Sequence, residues 1–85
     1  MHELRILGLL ITDRIKEAGR TQEVLSRYAP IIKSRLGFHE VTEKVCSRVG
    51  FILLHVTGST DQCDHLEHEL GDIGGLELQK MVFAY

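Results

Sequence analysis

Cys63, Asp64, His65 and His68 crowd thiol, carboxylate and imidazole groups into the start of one predicted helix. Histidines three residues apart occupy neighbouring helical positions and can share a metal ion, with a thiolate or carboxylate as a further ligand. The helical phase argues otherwise. Cys63 falls in step with Leu66 and Leu70, which turns its sulfur toward a core while His65 and His68 face elsewhere. The expectation is therefore a buried cysteine, solvent-facing histidines and no metal or cofactor. His55 is a different case, because it interrupts an apolar run. Two copies of it, brought together across a twofold axis, could bind a metal or respond to pH, although a neutral, hydrogen-bonded strand histidine is the plainer reading.

Catalytic signatures are missing. The chain has no GxSxG, no Cys-His signature and no carboxylate pair identifiable from spacing, and Glu17, Glu23, Glu67 and Glu69 read as solvated helix faces. Gly71, Gly74 and Gly75 have the wrong spacing for a phosphate loop and precede a strand, not a helix. No enzyme activity is expected. Two strand-to-helix turns suit ligand binding better: Thr12-Asp13-Arg14 and Gly58-Ser59-Thr60. Each would point free backbone N–H groups at an anion, and Arg14 adds a charge suited to carboxylate or phosphate. Asp13, Arg14, Gly58 and Ser59 are thus the candidate ligand-binding residues, set against the plain alternative that they cap helices.

Ten Lys and Arg against twelve Asp and Glu leave a net charge of −2, which gives no reason to attract a phosphate backbone, so direct nucleic-acid binding is not expected. Cys46 and Cys63 form no CxxC pair, and no positive segment followed by an apolar run opens the chain. That pattern suits a reduced, cytoplasmic protein. The apolar stretch 6–11 is far shorter than the ~20 residues of a membrane-spanning helix, and no membrane association is expected.

The elements that must position these residues repeat. A strand, a helix with a polar start and a second strand occupy residues 4–11, 14–28 and 31–36, and again 49–56, 59–70 and 76–84. Two βαβ units predict a single α+β domain over residues 1–85, a ferredoxin-like βαββαβ sandwich with two helices on one face of a four-stranded antiparallel sheet of order 4-1-3-2. Strands 4–11 and 49–56 are apolar at both parities, as central strands are. The other two carry Lys33 and Arg35, and Glu77, Gln79 and Lys80, as edge strands do. Ser59 and Gln62 have capping-box spacing, and the second helix should bury Cys63, Leu66, Leu70 and Ile73. Residues 38–48 read as a long hairpin connection or as an extension of the two middle strands.

With both helices on one face, the other face would be left to water. Leu7, Leu9, Ile11, Phe51, Leu53 and His55 are expected to line it, and Phe83, with Met81 and Tyr85, to extend it onto an edge strand. A second copy of the chain is the simplest cover, which predicts a homo-oligomer, dimeric or larger.

Several stretches add a family resemblance: Ile6-Leu7-Gly8 through Asp13-Arg14; Tyr28-Ala29-Pro30-Ile31-Ile32 with Arg35-Leu36-Gly37; and Leu66 through Leu70-Gly71-Asp72-Ile73-Gly74-Gly75-Leu76. Over nearly its whole length the chain resembles the iron-only hydrogenase system regulators. The resemblance implies an ACT-like domain, similar in shape to the ligand-binding domains of amino-acid-responsive regulators and to the C-terminal domain of nickel-responsive repressors. The chain departs from the family pattern at Gly74, where proline is common, and at Phe38-His39-Glu40. The resemblance implies a small transcriptional or hydrogenase-system regulator; joined to the two turns, the reading is of a homo-oligomer that binds a small anionic ligand such as an amino acid between protomers, near Asp13, Arg14 and the Gly58 turn, or that acts on a protein partner. A nickel-type metal-responsive domain using His55 or the Cys63, His65 and His68 cluster is the alternative.

Overall fold

The computed structural model describes residues 3–12, 14–41 and 46–85. Its elements run β1 (Glu3–Ile11), α1 (Arg14–Arg27), a 3-10 turn (Ala29–Ile31), β2 (Ile32–Val41), β3 (Cys46–Gly58), α2 (Thr60–Gly71) and β4 (Leu76–Ala84). The strands form one antiparallel sheet in the order β2-β3-β1-β4, which is the expected 4-1-3-2 read from the other edge. The fold is ferredoxin-like.

Local chemistry accounts for the element boundaries. Pro30 cannot extend α1 through a backbone donor, and the chain closes instead into a single 3-10 turn with Ile31 N–H donating to the Tyr28 carbonyl at 3.0 Å. Ser59 caps α2: its hydroxyl accepts from Gln62 N–H at 3.1 Å while the Gln62 side chain accepts from Ser59 N–H at 3.0 Å. Gly75 takes a positive φ of 78° in the turn into β4, a conformation costly for a side-chain-bearing residue. Thr12 locks that turn, its amide and hydroxyl both donating to the Gly75 carbonyl at 2.8 and 3.0 Å.

Of the two readings open for residues 38–48, a long hairpin connection or an extension of the middle strands, the structure takes the extension for most of the stretch. β2 continues to Val41 and β3 starts at Cys46, with Val41 opposite Cys46; residues 42–45 lie outside the described chain. β1 ends opposite Gly50, so the far part of β3 pairs with β2 alone.

The core lies between the helices and one face of the sheet. Leu7, Leu9 and Ile11 from β1 meet Ile52, Leu54 and Val56 from β3, and α2 contributes Cys63, Leu66 and Leu70, with Ile73 beyond its end. Burial along β1 alternates strictly from Arg5 to Ile11. This corrects one expectation. Sequence patterning groups Leu7, Leu9 and Ile11 with Phe51, Leu53 and His55, but directly opposed residues of an antiparallel pair share a face. Leu7 stands opposite Leu54 and Leu9 opposite Ile52, so these three β1 residues lie under the helices, 0–3% exposed. Their alternates take the other face.

Candidate functional site: the uncovered sheet face

The face away from the helices is assembled by register. β1 supplies Leu4, Ile6, Gly8 and Leu10; opposite them on β3 stand Thr57, His55, Leu53 and Phe51, and on β4 Phe83, Met81, Gln79 and Glu77. β2 adds Ser34 opposite His55 and Leu36 opposite Leu53. Leu36, Leu53, Met81 and Phe83 are 60, 37, 56 and 52% exposed, large apolar side chains standing side by side on one surface. Among the described residues at these register positions the charge is confined to Glu77, at one corner.

Gly8 shapes the middle of the face. With no side chain there, the ring of Phe51 and the tip of Leu53 come within 3.6 and 3.9 Å of where a Cβ would stand. A shallow furrow results, with one depression lined by Ile6, Leu53, Lys80 and Met81 and another by Leu10, Phe51 and Glu77, Gln79 bordering both. His55 lies beside it, half-buried, its Nε2 covered and without a hydrogen-bond partner. The hydrogen bond expected of a strand histidine is therefore not made through Nε2.

The turn residues proposed as a ligand site do not come together in one protomer. β1 and β3 are antiparallel, Glu3 facing Gly58 and Ile11 facing Gly50, so the 12–14 and 58–59 turns sit at opposite ends of the sheet. Nine strand residues at ~3.3 Å each separate them by roughly 30 Å. Gly58 is closed in as well: a Cβ there would stand 2.9 Å from Gln62 Oε1 and 3.0 Å from Ile31 Cγ2. The Ser59 hydroxyl is engaged in the capping box. Asp13 lies outside the described residues, as does the side chain of Arg14.

The Cys63, His65 and His68 group separates as the helical phase requires. Cys63 is 1% exposed, and burial pushes its thiol up from the usual range. His65 and His68 are exposed, and His68 Nε2 lies 3.6 Å from Asp72 Oδ2 one turn along.

The strongest polar feature was invisible to the expectations drawn from sequence. Arg5, in the helix-covered half of β1, is buried and reaches three carboxylates: Glu3 at 2.7 Å, Asp64 at 2.8 Å, and Glu67. Glu67 also accepts from Lys80 Nζ at 2.8 Å, so one α2 residue ties β1 to β4. Burial works against the guanidinium charge, but the hydrogen bonds to Asp64, Glu67 and Glu3 outweigh it and raise the Arg5 pKa. A second tie joins the helices, where Glu69 accepts from both Arg27 and the Tyr28 hydroxyl. Glu67 and Glu69 therefore hold elements together and are not solvated faces. Glu17, likewise expected at the surface, is 7% exposed. A charged residue in the inward phase of a strand or helix was the available sign, and Arg5 shares that phase with Leu7 and Leu9.

No helix of the described residues is long and apolar enough to cross a membrane. Residues 3–80 match the family model described as "TM1266-like: Iron-only hydrogenase system regulator, putative". No curated protein matches the chain. Among solved structures, the uncharacterized protein TM1266 from Thermotoga maritima is 24% identical, with a TM-score of 0.83 over 99% of this chain and 100% of that one. CPII, a nitrogen regulatory PII-like protein from Thiomonas intermedia K12, reaches 0.57 at 12% identity, over 95% of this chain and 89% of its own. The divalent ion tolerance protein CutA1 from Ehrlichia chaffeensis reaches 0.54 at 16%, over 100% and 85%. At these identities the likeness is one of fold.

Proposed function

Because the chain belongs to the TM1266-like family of iron-only hydrogenase system regulators, we propose that it is a small regulatory module working as a homo-oligomer, with the uncovered sheet face as its self-association surface. The observation that carries this reading is the row of exposed apolar side chains, Leu36, Leu53, Met81 and Phe83, across a face that the protein's own helices leave bare. Water-exposed apolar surface on this scale favours a cover.

The size of the face supports a second copy as that cover. Strands of about nine residues at ~3.3 Å, four of them ~4.8 Å apart, span roughly 30 by 19 Å, or about 570 Å² in projection. Side-chain relief brings such a face near the ~800 Å² that each partner contributes to a standard interface. Its composition is self-complementary, largely apolar with charge at the β4 border in Glu77 and Lys80, and a twofold axis places identical patches together. Two sheets packed face to face in this way form a sandwich core ~10 Å thick. The module is read as a binding protein and not an enzyme, since Arg5, Glu67, Glu69 and Ser59 are engaged in holding its elements together. A ligand shared by the 12–14 and 58–59 turns of one protomer is not part of the reading, because those turns lie at opposite ends of the sheet.

The test is light scattering on the wild type and on Leu53→Lys at micromolar concentration. A charge at Leu53 would be buried unpaired at the centre of the association, so the variant is expected to show half the wild-type particle mass. A Leu53→Lys protein of wild-type mass, with an unchanged circular dichroism spectrum, overturns the reading.

A further inference from the structure

A second exposed apolar surface lies along an edge. β4 is paired with β1 on one side and ends the sheet on the other. From residue 81 it reads Met-Val-Phe-Ala, with Tyr85 just beyond its end, and Met81, Val82, Phe83 and Tyr85 are 56, 47, 52 and 69% exposed. These residues occupy both parities, so they do not simply continue the uncovered face. Val82, opposite Arg5, belongs to the helix side. Edge strands are normally protected by charge, and here the charges stop at Lys80. That ammonium is drawn onto Glu67 of α2 at 2.8 Å, and Glu77 accepts from Gln79 Nε2 at 2.9 Å. The opposite edge, β2, carries Lys33 and Arg35 at exposed positions. Both edges thus carry charge over their first halves, and on β4 the exposed residues that follow Lys80 are apolar.

We propose that the C-terminal half of β4 adds to the same segment of a second copy, antiparallel about a twofold axis at Val82, joining two four-stranded sheets into a continuous one of eight strands. Self-pairing suits this segment better than pairing with a polar peptide, because the register matches apolar residues to apolar residues. Met81 stands opposite the partner's Phe83, Val82 opposite the partner's Val82, and Lys80 opposite the partner's Ala84. No like charges meet, whereas an axis at Lys80 would oppose two ammonium groups directly. The outward backbone N–H and C=O groups of the edge gain ladder hydrogen bonds in the same step. This contact runs along the strand edge, not across the face; Met81 and Phe83 border both surfaces, and Val82 and Ala84 add the helix-side parity that the face does not use. Together the two surfaces give a particle of four chains.

Light scattering and hydrogen exchange on the full chain test the proposal. Val82→Lys is expected to halve the wild-type mass and to expose outward amides of residues 81–84 that are protected in the wild type. Ala84→Lys, at an exposed position of the same parity, is expected to do likewise and covers the event that Val82→Lys fails to fold. Leu53→Lys should halve the mass without loosening those amides, and the Leu53→Lys/Val82→Lys double variant should be a monomer. Folded Val82→Lys and Ala84→Lys proteins that keep the wild-type mass overturn the edge contact while leaving the face association standing. A mass changed by Val82→Lys but not by Leu53→Lys does the reverse.

Discussion

Replacing Arg5 with methionine keeps much of the side-chain bulk and removes the one charge that holds Glu3, Asp64 and Glu67 together. The guanidinium is 5% exposed, Glu67 13% and Glu3 23%, whereas Asp64 is 57% exposed and can turn to water. Removing one partner of a buried ion pair costs ~3–5 kcal/mol, because the other charge stays behind unpaired. The solvent open to Asp64 places this case near the lower end, at about 3 kcal/mol. A domain of this size has a total stability of roughly 4–13 kcal/mol, so the loss is a large share of it. With a urea slope of about 1 kcal/mol/M, the midpoint should fall by about 3 M with the slope unchanged. The assay is urea unfolding followed by circular dichroism at one fixed protein concentration, since self-association adds to apparent stability. Arg5→Lys should recover only part of the loss, because an ammonium lacks the planar fork that spans several carboxylates. The double variant Arg5→Met/Glu67→Leu should be more stable than Arg5→Met, since it removes the stranded carboxylate. An Arg5→Met midpoint within about 0.5 M of wild type, or an Arg5→Lys protein equal to wild type, would refute the view that this cluster clamps β1, α2 and β4.

Ser59→Ala removes the hydroxyl half of the α2 capping box and should lower stability by about 1 kcal/mol in urea unfolding, without changing particle mass by light scattering. The Tyr28–Glu69 contact gives a pH signature. The Tyr28 hydroxyl, burial opposing and Arg27 assisting it, holds the Glu69 carboxyl below its usual value, so this contribution is present above the unfolded value of ~4.3 and is lost as pH falls through the lowered folded one. The same hydrogen bond to Glu69 raises the Tyr28 phenol, so that contribution is present below ~10 and is lost as pH rises through the raised value. Thermal melts of wild type and Tyr28→Phe should therefore differ by a constant amount from about pH 5 to 9 and converge at both extremes; a difference independent of pH contradicts the assignment.

Much of the fold could be read from residues 1–85 because local and periodic signals agreed. The Ser59–Gln62 spacing gave the start of α2, Pro30 the end of α1, and the phase of Cys63, Leu66 and Leu70 the buried stripe of that helix. The strands 4–11 and 49–56 were harder, since both parities are apolar and hydrophobic alternation then carries no information about which face is which. Leu7, Leu9 and Ile11 went to the wrong side for that reason. The one clear asymmetry was Arg5, a charge in phase with Leu7 and Leu9. Its partners Asp64 and Glu67 come from α2, some sixty residues on, and pairing over that distance has no local signature. The relative position of the candidate ligand residues was equally illegible: the two turns look alike in sequence, while the antiparallel pairing of β1 with β3 sends them to opposite ends of one protomer.

Sequence alone determined the doubled βαβ plan, the central and edge strands, and the existence of an apolar sheet surface that two helices on one side cannot cover. These follow from periodicity, capping and composition, which are properties of neighbouring residues. Only the tertiary structure decided which side chains form that surface. Strand register assigns every residue to a face at once, and a shift of one position exchanges the two faces. Register placed Ile6, Gly8 and Leu10 beside Phe51, Leu53 and His55 in the open, sent Leu7, Leu9 and Ile11 under the helices, and left residues 81–84 on the outer edge of the sheet.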